Sequence, residues 1–378
     1  MAAEKITKIR MEKEKMSWEN NIRRVVPYVA GEQPQKQNVI KLNTNECPYP
    51  PAPEVEGVLR GFDCDTLRKY PDPDVQELRE ALAKRHGLDC GQVFVGVGSD
   101  DVLAMSFLTF FNSEKPVLFP DITYSFYDVW ADLYKISYEC PPLDENFQIR
   151  KEDYMKENGG IVLANPNAPT GVCEAPSFFE EILRKNPDSV VIVDEAYIDF
   201  GGESCVPLIE RYENLLVVQT FSKSRSMAGM RIGYAMGSKK LIRFLNDVKF
   251  SFNSYTMNAV TIKAGVASVE NEEYFKRITA KITATREYTK KRLAALDFVF
   301  PDSKTNFIFA AHQRVPAQEL FDALRANEIY VRHWNKPRIA DYLRISIGTD
   351  EEMETVLKFL ENYLKGKQSA NKKSSRNL

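Results

Sequence analysis

The segment from Val190 to Tyr197 reads Val-Val-Ile-Val-Asp-Glu-Ala-Tyr, so a run of β-branched residues ends directly in two acids. A run this short and this apolar predicts a strand that is buried on both faces of a largely parallel sheet. Further runs of the same kind alternate with segments of helical character, such as 75–82 and 178–183. These runs lie at 93–97, 116–119, 161–164 and 215–218. Their alternation with helices predicts an α/β layer fold.

Polar residues follow several of these runs where a strand would end. Asp194, Asn167 and Lys223 each come shortly after a run, and Ser99 with Asp100 follows another. In α/β sheets, ligands bind beside the carboxyl ends of the strands. These side chains therefore mark the candidate site.

The last third of the chain has a different pattern. A long helical stretch at about 255–295 precedes strand-like runs at 306–309 and 342–347, and a final helix has a regular apolar face. We therefore predict a second, smaller α+β domain. The expected divisions are a charged extension at 1–20, an N-terminal arm at 21–46, a large domain at 47–255, a small C-terminal domain at 256–364 and a disordered tail at 365–378.

The composition limits the possible classes of protein. A chain of 378 residues is long enough for two domains. Its net charge of −2 argues against a general binder of nucleic acid, and its apolar runs are far shorter than the ~20 residues that span a bilayer. The six cysteines form no Cys-x-x-Cys pair and there are only three histidines. We therefore expect no metal site, and free thiols in the cytoplasm.

Four residues at or after the apolar run at 190–193 together suggest a single cofactor. A pyridoxal phosphate (PLP) site needs an amine for the Schiff base, a carboxylate for the ring nitrogen, a donor for the ring oxygen and a cation for the phosphate. Lys223, Asp194, Tyr197 and Arg231 supply these groups in that order. We predict that the first three are catalytic and that Arg231 binds the phosphate.

Further donors for the phosphate lie close to these residues in the predicted sheet. Gly98-Ser99-Asp100 follows a strand and opens a helix, and the N–H groups at a helix N-terminus bind phosphate. Ser222 adds a hydroxyl beside Lys223. We expect Ser99, Asp100 and Ser222 to contribute to cofactor binding.

From about Arg23 to Leu364 the chain resembles the fold-type-I PLP enzymes, and among them the histidinol-phosphate aminotransferases of the class-II PLP-dependent aminotransferase family. The motifs that carry this resemblance lie at 42–46, 69–71, 98–100, 165–171, 194–197, 220–223, 303–307, 331–332 and 343–349. The resemblance implies a seven-stranded, mostly parallel sheet in the large domain. It also implies a homodimer and a role in histidine biosynthesis, where histidinol phosphate and 2-oxoglutarate are interconverted with imidazole-acetol phosphate and glutamate.

The resemblance also assigns roles to individual residues. It implies that Tyr124 stacks on the cofactor ring and that Tyr70 reaches the phosphate in the neighbouring subunit. On the substrate side it implies Tyr28 from the N-terminal arm and three further residues. These are Asn45, Arg332 for the substrate phosphate and Arg344 for the substrate carboxylate.

Two positions depart from the family pattern. Related enzymes usually carry asparagine directly before Pro-Thr-Gly, where this chain has Ala168. We expect Asn167, one place earlier, to turn into the site and bind the ring oxygen together with Tyr197. Phe252 replaces a tyrosine that relatives often carry on the substrate side.

Three other functions share parts of this pattern. An aromatic amino acid aminotransferase uses the same scaffold, and the loss of a hydroxyl at Phe252 keeps that function open. A PLP decarboxylase of the threonine-phosphate type shares the cofactor residues. A PLP-sensing regulator would need a DNA-binding segment, and the roughly 20 residues before Asn21 are too few for one. The pattern favours the transaminase.

Overall fold

The computed structural model describes residues 18–36 and 38–374, with side chains as far as Lys367. Most of the predicted charged extension therefore lies outside the described residues. Its last part enters a short 3-10 turn, Glu19–Asn21.

Thirteen strands are present in the described residues. In chain order they are β1 (Ile40–Lys41), β2 (Val93–Gly96), β3 (Val117–Leu118), β4 (Tyr138–Glu139), β5 (Gly160–Ala164), β6 (Val191–Asp194), β7 (Leu215–Thr220), β8 (Gly233–Gly237), β9 (Phe298–Val299), β10 (Phe307–His312), β11 (Ile329–Tyr330), β12 (Arg332–His333) and β13 (Leu343–Ser346).

Ten α-helices connect these strands within the same residues. They are α1 (Pro53–Gly61), α2 (Gln76–His86), α3 (Ser99–Phe110), α4 (Tyr127–Tyr134), α5 (Pro176–Lys185), α6 (Lys239–Phe252), α7 (Ala259–Glu270), α8 (Glu272–Ala294), α9 (Ala317–Ala326) and α10 (Asp350–Ser374).

The large domain is built on a seven-stranded sheet with the strand order β2-β8-β7-β6-β5-β3-β4. β8 runs antiparallel to both of its neighbours, β2 and β7. The other neighbouring pairs are parallel. The predicted α/β fold with a mostly parallel sheet of seven strands is confirmed.

Helices cover both faces of this sheet, which explains why its central strands are continuously apolar. Every residue of β5, β6, β7 and β8 is buried. Side chains alternate between the two layers, as strand geometry requires. On β6, Val191 and Val193 pack in one core while Ile192 packs in the other. Buried polar groups at the ends of these strands are therefore conspicuous.

The smaller domain contains an antiparallel sheet with the order β12-β13-β10-β9. The N-terminal arm joins this domain, because β1 pairs in parallel with β11. α10 packs on the sheet through an apolar face that includes Met353, Leu357 and Leu360. The arm also reaches the large domain, because Nδ2 of Asn45 donates to Oη of Tyr197 at 2.9 Å, just beyond the end of β6.

Two predicted divisions differ from the structure. Met257, Ile262 and Val269 belong to a core of the large domain, so the change from one core to the other comes after α7 rather than at residue 256. α10 continues to Ser374, so 365–374 is helical where a disordered tail was expected. The segment 365–374 contains no proline, so the helix that begins at Asp350 can continue through it. Residues 375–378 lie outside the described part.

Candidate active site

Asp194 is the last residue of β6 and its carboxyl group lies in the interior. The residue is 5% exposed. Tyr127 Oη donates a hydrogen bond to Oδ2 at 2.8 Å, and the N–H of Ala196 donates to Oδ1 at 3.2 Å. Burial raises the pKa of Asp194 to about 6, against the effect of these two donors. Among the described residues no cation forms a salt bridge with it, so this carboxylate suits a cationic ligand.

Lys223 lies in the loop that connects β7 to β8. Its Nζ donates to the carbonyl oxygen of Thr44 at 3.1 Å and lies 5.7 Å from the ring centroid of Tyr197. The base of the loop is closed by a hydrogen bond from the N–H of Phe221 to the oxygen of Ile232, at 3.0 Å. The amine therefore lies between the loop, the N-terminal arm and the end of β6.

Arg231 lies at the other side of the same loop with a left-handed backbone (φ 53°). Its Nη2 is 3.5 Å from Oδ2 of Asp100. The guanidinium packs directly on Gly98, where an added Cβ would lie only 2.4 Å from Nη2. A Cβ on Gly233 would likewise meet the backbone of Gly98 at 2.2 Å. The two glycines let β8 and the start of α3 approach closely, so that the arginine lies beside a helix N-terminus.

An inner cavity of about 180 Å³ connects these groups. It is lined by Thr44, Glu46, Ser99, Asp100, Tyr124, Ala164, Pro166, Ala168, Asp194, Ala196, Tyr197, Thr220, Ser222, Lys223, Ala228 and Arg231. The lining combines an uncompensated carboxylate, Asp194, with a guanidinium, Arg231, and the first residues of α3. This combination fits a molecule that carries both a cationic ring and an anionic group.

Tyr124 and Tyr197 contribute the phenols of the inner cavity. Tyr124 Oη donates to Oδ1 of Asp100 at 2.7 Å, and burial, followed by Asp100, raises the pKa of Tyr124. Tyr197 Oη accepts a hydrogen bond from Nδ2 of Asn45 at 2.9 Å.

Ser222 also lines the inner cavity. It is held by a hydrogen bond from its N–H to Oγ1 of Thr220, at 3.1 Å.

An outer cavity of about 770 Å³ adjoins the inner one, and seven residues line both: Thr44, Asp100, Tyr124, Ala168, Tyr197, Lys223 and Arg231. Arg332 and Arg344 line its far side, each with its guanidinium over the ring of Trp334 at 5.3 and 5.2 Å. Among the described residues neither arginine forms a salt bridge. Burial lowers the pKa of Arg344, and its Nε is buried without a hydrogen-bond partner. An anionic ligand would satisfy these donors.

Tyr28 places the N-terminal arm over the outer cavity. Its ring stacks on Phe126 with a centroid distance of 4.1 Å. Arg332 holds the following part of the arm, because its Nη2 donates to the oxygen of Val29 at 3.2 Å. The arm therefore forms part of the wall of the outer cavity.

Two predicted site residues do not line either cavity. Asn167 is buried and fully engaged elsewhere, since its Nδ2 donates to the oxygen of Ile122 at 2.9 Å and its Oδ1 accepts from Thr123 at 2.8 Å. The methyl group of Ala168 lines the cavities instead. The expected turn of Asn167 into the site is therefore not what the structure has.

Tyr70 is the second of these residues. It is 81% exposed and stacks on Tyr255 at 4.5 Å, away from the cavities. Phe252 is also on the surface, 73% exposed, so within this chain it does not shape the substrate cavity.

Two contributors were missed at the level of sequence. Tyr127 belongs to the same aromatic run as Tyr124, and only the helical spacing of the two residues could have indicated that both point toward the sheet end. Trp334 comes two residues after Arg332, and that aromatic beside a candidate anion-binding arginine was the available signal.

Within the part of the chain that the structure describes, no helix is both long and apolar enough to cross a membrane. Residues 18–36 and 38–374 also contain no cluster of three or more side chains suited to hold a metal ion.

Comparisons with known proteins agree with this geometry. Residues 37–360 match the family model for aminotransferase class I and II. The histidinol-phosphate aminotransferase of Lactococcus lactis subsp. cremoris is 56% identical over 355 residues, which cover 94% of this chain and 100% of that protein. The enzyme of the same name from Clostridium botulinum is 50% identical over 337 residues, which cover 89% and 95% of the two chains.

A solved structure has the same fold. The crystal structure of histidinol-phosphate aminotransferase from Sinorhizobium meliloti in complex with pyridoxal-5'-phosphate matches with a TM-score of 0.81. It is 23% identical, and the match covers 90% of this chain and 96% of that one. The predicted fold of a PLP-dependent transferase is confirmed by this agreement.

Proposed function

This chain belongs to the aminotransferase class I and II family, and we propose that it is a PLP-dependent aminotransferase acting on histidinol phosphate. It interconverts histidinol phosphate and 2-oxoglutarate with imidazole-acetol phosphate and glutamate. Relatives named for this activity are 56% and 50% identical over nearly the whole chain. The observation that carries the proposal is the buried carboxylate of Asp194, which shares one cavity with Lys223 and has no cationic partner among the described residues.

The residues of the inner cavity fit PLP. Asp194 would hold the ring nitrogen, Tyr197 the ring oxygen and Tyr124 one face of the ring. Arg231, Ser222, Ser99 and the start of α3 would hold the phosphate. When bound, PLP supplies an electron sink for the pair released when a carbon–hydrogen bond of the substrate breaks.

The negative charge of Asp194 would favour protonation of the ring nitrogen. Burial makes the free carboxylate unfavourable, as the rise of its pKa to about 6 indicates. A protonated ring nitrogen removes that cost, because the two charges then neutralise each other in a medium of low dielectric. Tyr127 keeps one carboxylate oxygen in place at 2.8 Å.

Lys223 holds and moves the proton of the reaction. It is the lysine among the residues that line the inner cavity, and it also borders the outer one. Its Nζ therefore lies where cofactor and substrate would meet. An amine at that position could move a proton between the substrate carbon and the cofactor.

Arg344 and Arg332 select the substrates. A transaminase must bind a phosphate in one half-reaction and carboxylates in the other. Two guanidiniums that rest on Trp334 rather than on fixed carboxylates can pair with either anion. Tyr28 and Phe126 cover the site and exclude water, which strengthens these ionic contacts.

We also propose a homodimer in a reducing compartment such as the cytoplasm. The aromatic side chains of Tyr70, Phe252 and Tyr255 are exposed to solvent in the single chain, which a subunit interface would cover. In such a dimer Tyr70 would reach the phosphate held by the other subunit.

All six cysteines are free thiols, which suits the reducing compartment proposed for the protein.

An absorbance spectrum of the purified protein tests the function. We expect a visible PLP band that disappears when histidinol phosphate is added without a keto acid and returns when 2-oxoglutarate follows. A band that responds to glutamate and to aromatic amino acids but not to histidinol phosphate would replace the substrate assignment. A protein that acquires no PLP band after reconstitution would contradict the proposal as a whole.

A further inference from the structure

Tyr197 is left without the asparagine that usually assists it at the ring oxygen. Ala168 occupies that position and offers only a methyl group to the cavities. Asn167 is engaged with Ile122 and Thr123. Of the two donors assigned to the ring oxygen, Tyr197 and Asn167, only Tyr197 lines the cavity, so the direction of its hydroxyl proton matters.

The hydrogen bonds around Asn45 fix that direction. The N–H of Asn45 donates to Oγ of Ser346 at 3.0 Å, so the hydroxyl of Ser346 is free to donate to Oδ1 of Asn45, which lies at 2.8 Å. Nδ2 of Asn45 then donates to Tyr197 Oη at 2.9 Å. Among the described residues Tyr197 Oη has no acceptor for its own proton. That proton is available to a group inside the inner cavity.

Asn45 is held firmly enough to act in this way. It is 1% exposed, and Nδ2 of Asn306 donates to its carbonyl oxygen at 2.9 Å. Its backbone is left-handed (φ 58°), a conformation that asparagine, aspartate and glycine adopt more readily than other residues. The contacts that hold this arm residue come from β13 and from the segment before β10. The small domain therefore positions Asn45, which in turn contacts Tyr197 of the large domain.

We propose that Asn45, oriented by Ser346, is a positioning residue that directs the proton of Tyr197 toward the ring oxygen of the cofactor. The inference deepens the proposed function and rests on it. A hydrogen bond to the ring oxygen stabilises its anionic form. It therefore lowers the pKa of the chromophore formed by Lys223 and the cofactor.

Asn45→Asp reverses the effect while keeping the shape and the left-handed backbone. A carboxylate at this position accepts the proton of Tyr197 and draws it away from the cavity. Because the ring oxygen then loses its hydrogen bond and faces an added negative charge, the pKa of the chromophore should rise by about one to two pH units. A spectrophotometric pH titration of the holoenzyme without substrate measures it.

Three further variants separate the effect of the hydrogen bond between Asn45 and Tyr197 from the effect of an added charge. Asn43→Asp makes the same charge change on the same segment, but Asn43 donates to the oxygen of Glu32 and not to Tyr197. It should raise the pKa by less than half as much. Ser346→Ala adds no charge and frees the amide of Asn45 to rotate, so it should raise the pKa by a few tenths. Tyr197→Phe removes the donor itself and measures the shift caused by losing that donor alone.

The other charged groups that line the inner cavity remain the same in all these proteins. They are Glu46, Asp100, Asp194, Lys223 and Arg231. Differences between the titrations therefore report on Tyr197 and its partners.

The outcomes separate this inference from the function. If Asn45→Asp and Asn43→Asp shift the pKa equally, or if Ser346→Ala and Asn45→Asp both titrate like the wild type, the positioning role is wrong although the enzyme is an aminotransferase. If the wild-type protein forms no chromophore with PLP, the proposed function itself fails. The inference is supported if the pKa of the chromophore rises more in Asn45→Asp than in Asn43→Asp, and rises by a smaller amount in Ser346→Ala.

Discussion

The inner and outer cavities lie side by side, but Arg332 and Arg344 of the outer cavity are held differently from the charged groups of the inner one. In the inner cavity each charged group has a fixed neighbour, as with Tyr127 beside Asp194 and Asp100 beside Arg231. In the outer cavity Arg332 and Arg344 rest on an aromatic ring and form no salt bridge among the described residues. A site built from fixed partners suits one permanent ligand, whereas one whose guanidiniums have no carboxylate partner suits anions that must exchange.

Loss of the amine in the inner cavity should have the largest effect. Lys223→Ala removes the group that moves the proton, and we expect turnover to fall by more than about 10⁴-fold. Steady-state transamination with histidinol phosphate measures this loss. The control is Lys263→Ala, because Lys263 pairs with Glu77 on the surface and should be replaceable without loss. Full turnover in Lys223→Ala would contradict the assignment of the site.

The carboxylate of the inner cavity should matter next. Asp194→Asn removes a buried charge that the ring nitrogen would neutralise, so PLP affinity should fall by about 10²–10³-fold. Equilibrium titration of the ligand-free protein with PLP measures it. An unchanged affinity would show that the cationic end of the ligand does not lie at Asp194.

The same substitution should stabilise the ligand-free protein, and the effect should depend on pH. The pKa of Asp194 is about 6 in the folded state, above its ordinary 3.8, so the folded protein binds the proton more tightly than the unfolded chain. The contribution of Asp194 to stability therefore falls as the pH rises from about 4 to about 6 and stays low above that. Asp194→Asn should remove this contribution, leaving that of Glu195, whose pKa burial raises to about 7. At pH 7.5 it should add up to about 3 kcal/mol, measured by chemical unfolding.

In the outer cavity the effects should be smaller and should concern substrate binding. Arg344→Lys replaces a planar donor by a point charge, and we expect kcat/KM to fall by about 10²-fold, mainly through KM. The matched control is Arg338→Lys in the same cavity wall, because that guanidinium is already committed to Asp121 at 2.8 Å. Its kcat/KM should change by less than about threefold. Equal losses in both variants would remove the special role of Arg344.

The aromatic support of the two arginines should have the smallest effect. Trp334→Leu removes a cation–π contact worth about 0.5–1 kcal/mol, so KM for histidinol phosphate should rise about two- to fivefold. Trp334→Phe keeps a ring and should recover most of this loss. If leucine and phenylalanine behave alike, the ring acts only through its volume.

The two cavities also differ in how far the sequence predicts them. The residues of the inner cavity follow strands whose apolar runs are obvious, and parallel strands bring their ends together, so Asp194 and Lys223 could be placed from the pattern alone. The contact of Trp334 with both arginines depends on side-chain directions in the small domain, which periodicity does not supply. The side chain of Asn167 could not be placed either, because its amide finds Ile122 and Thr123 only in the folded loop.

The antiparallel turn between β7 and β8 has one more consequence. Lys223 and Arg231 lie on a single loop whose ends are joined by the hydrogen bond between Phe221 and Ile232. A cofactor bound at one of these residues finds the other at a high effective concentration, because the short closed loop has already lost the entropy of bringing them together. The loop therefore offers two points of attachment for the same molecule. PLP released from the amine of Lys223 would still be retained at Arg231 through its phosphate.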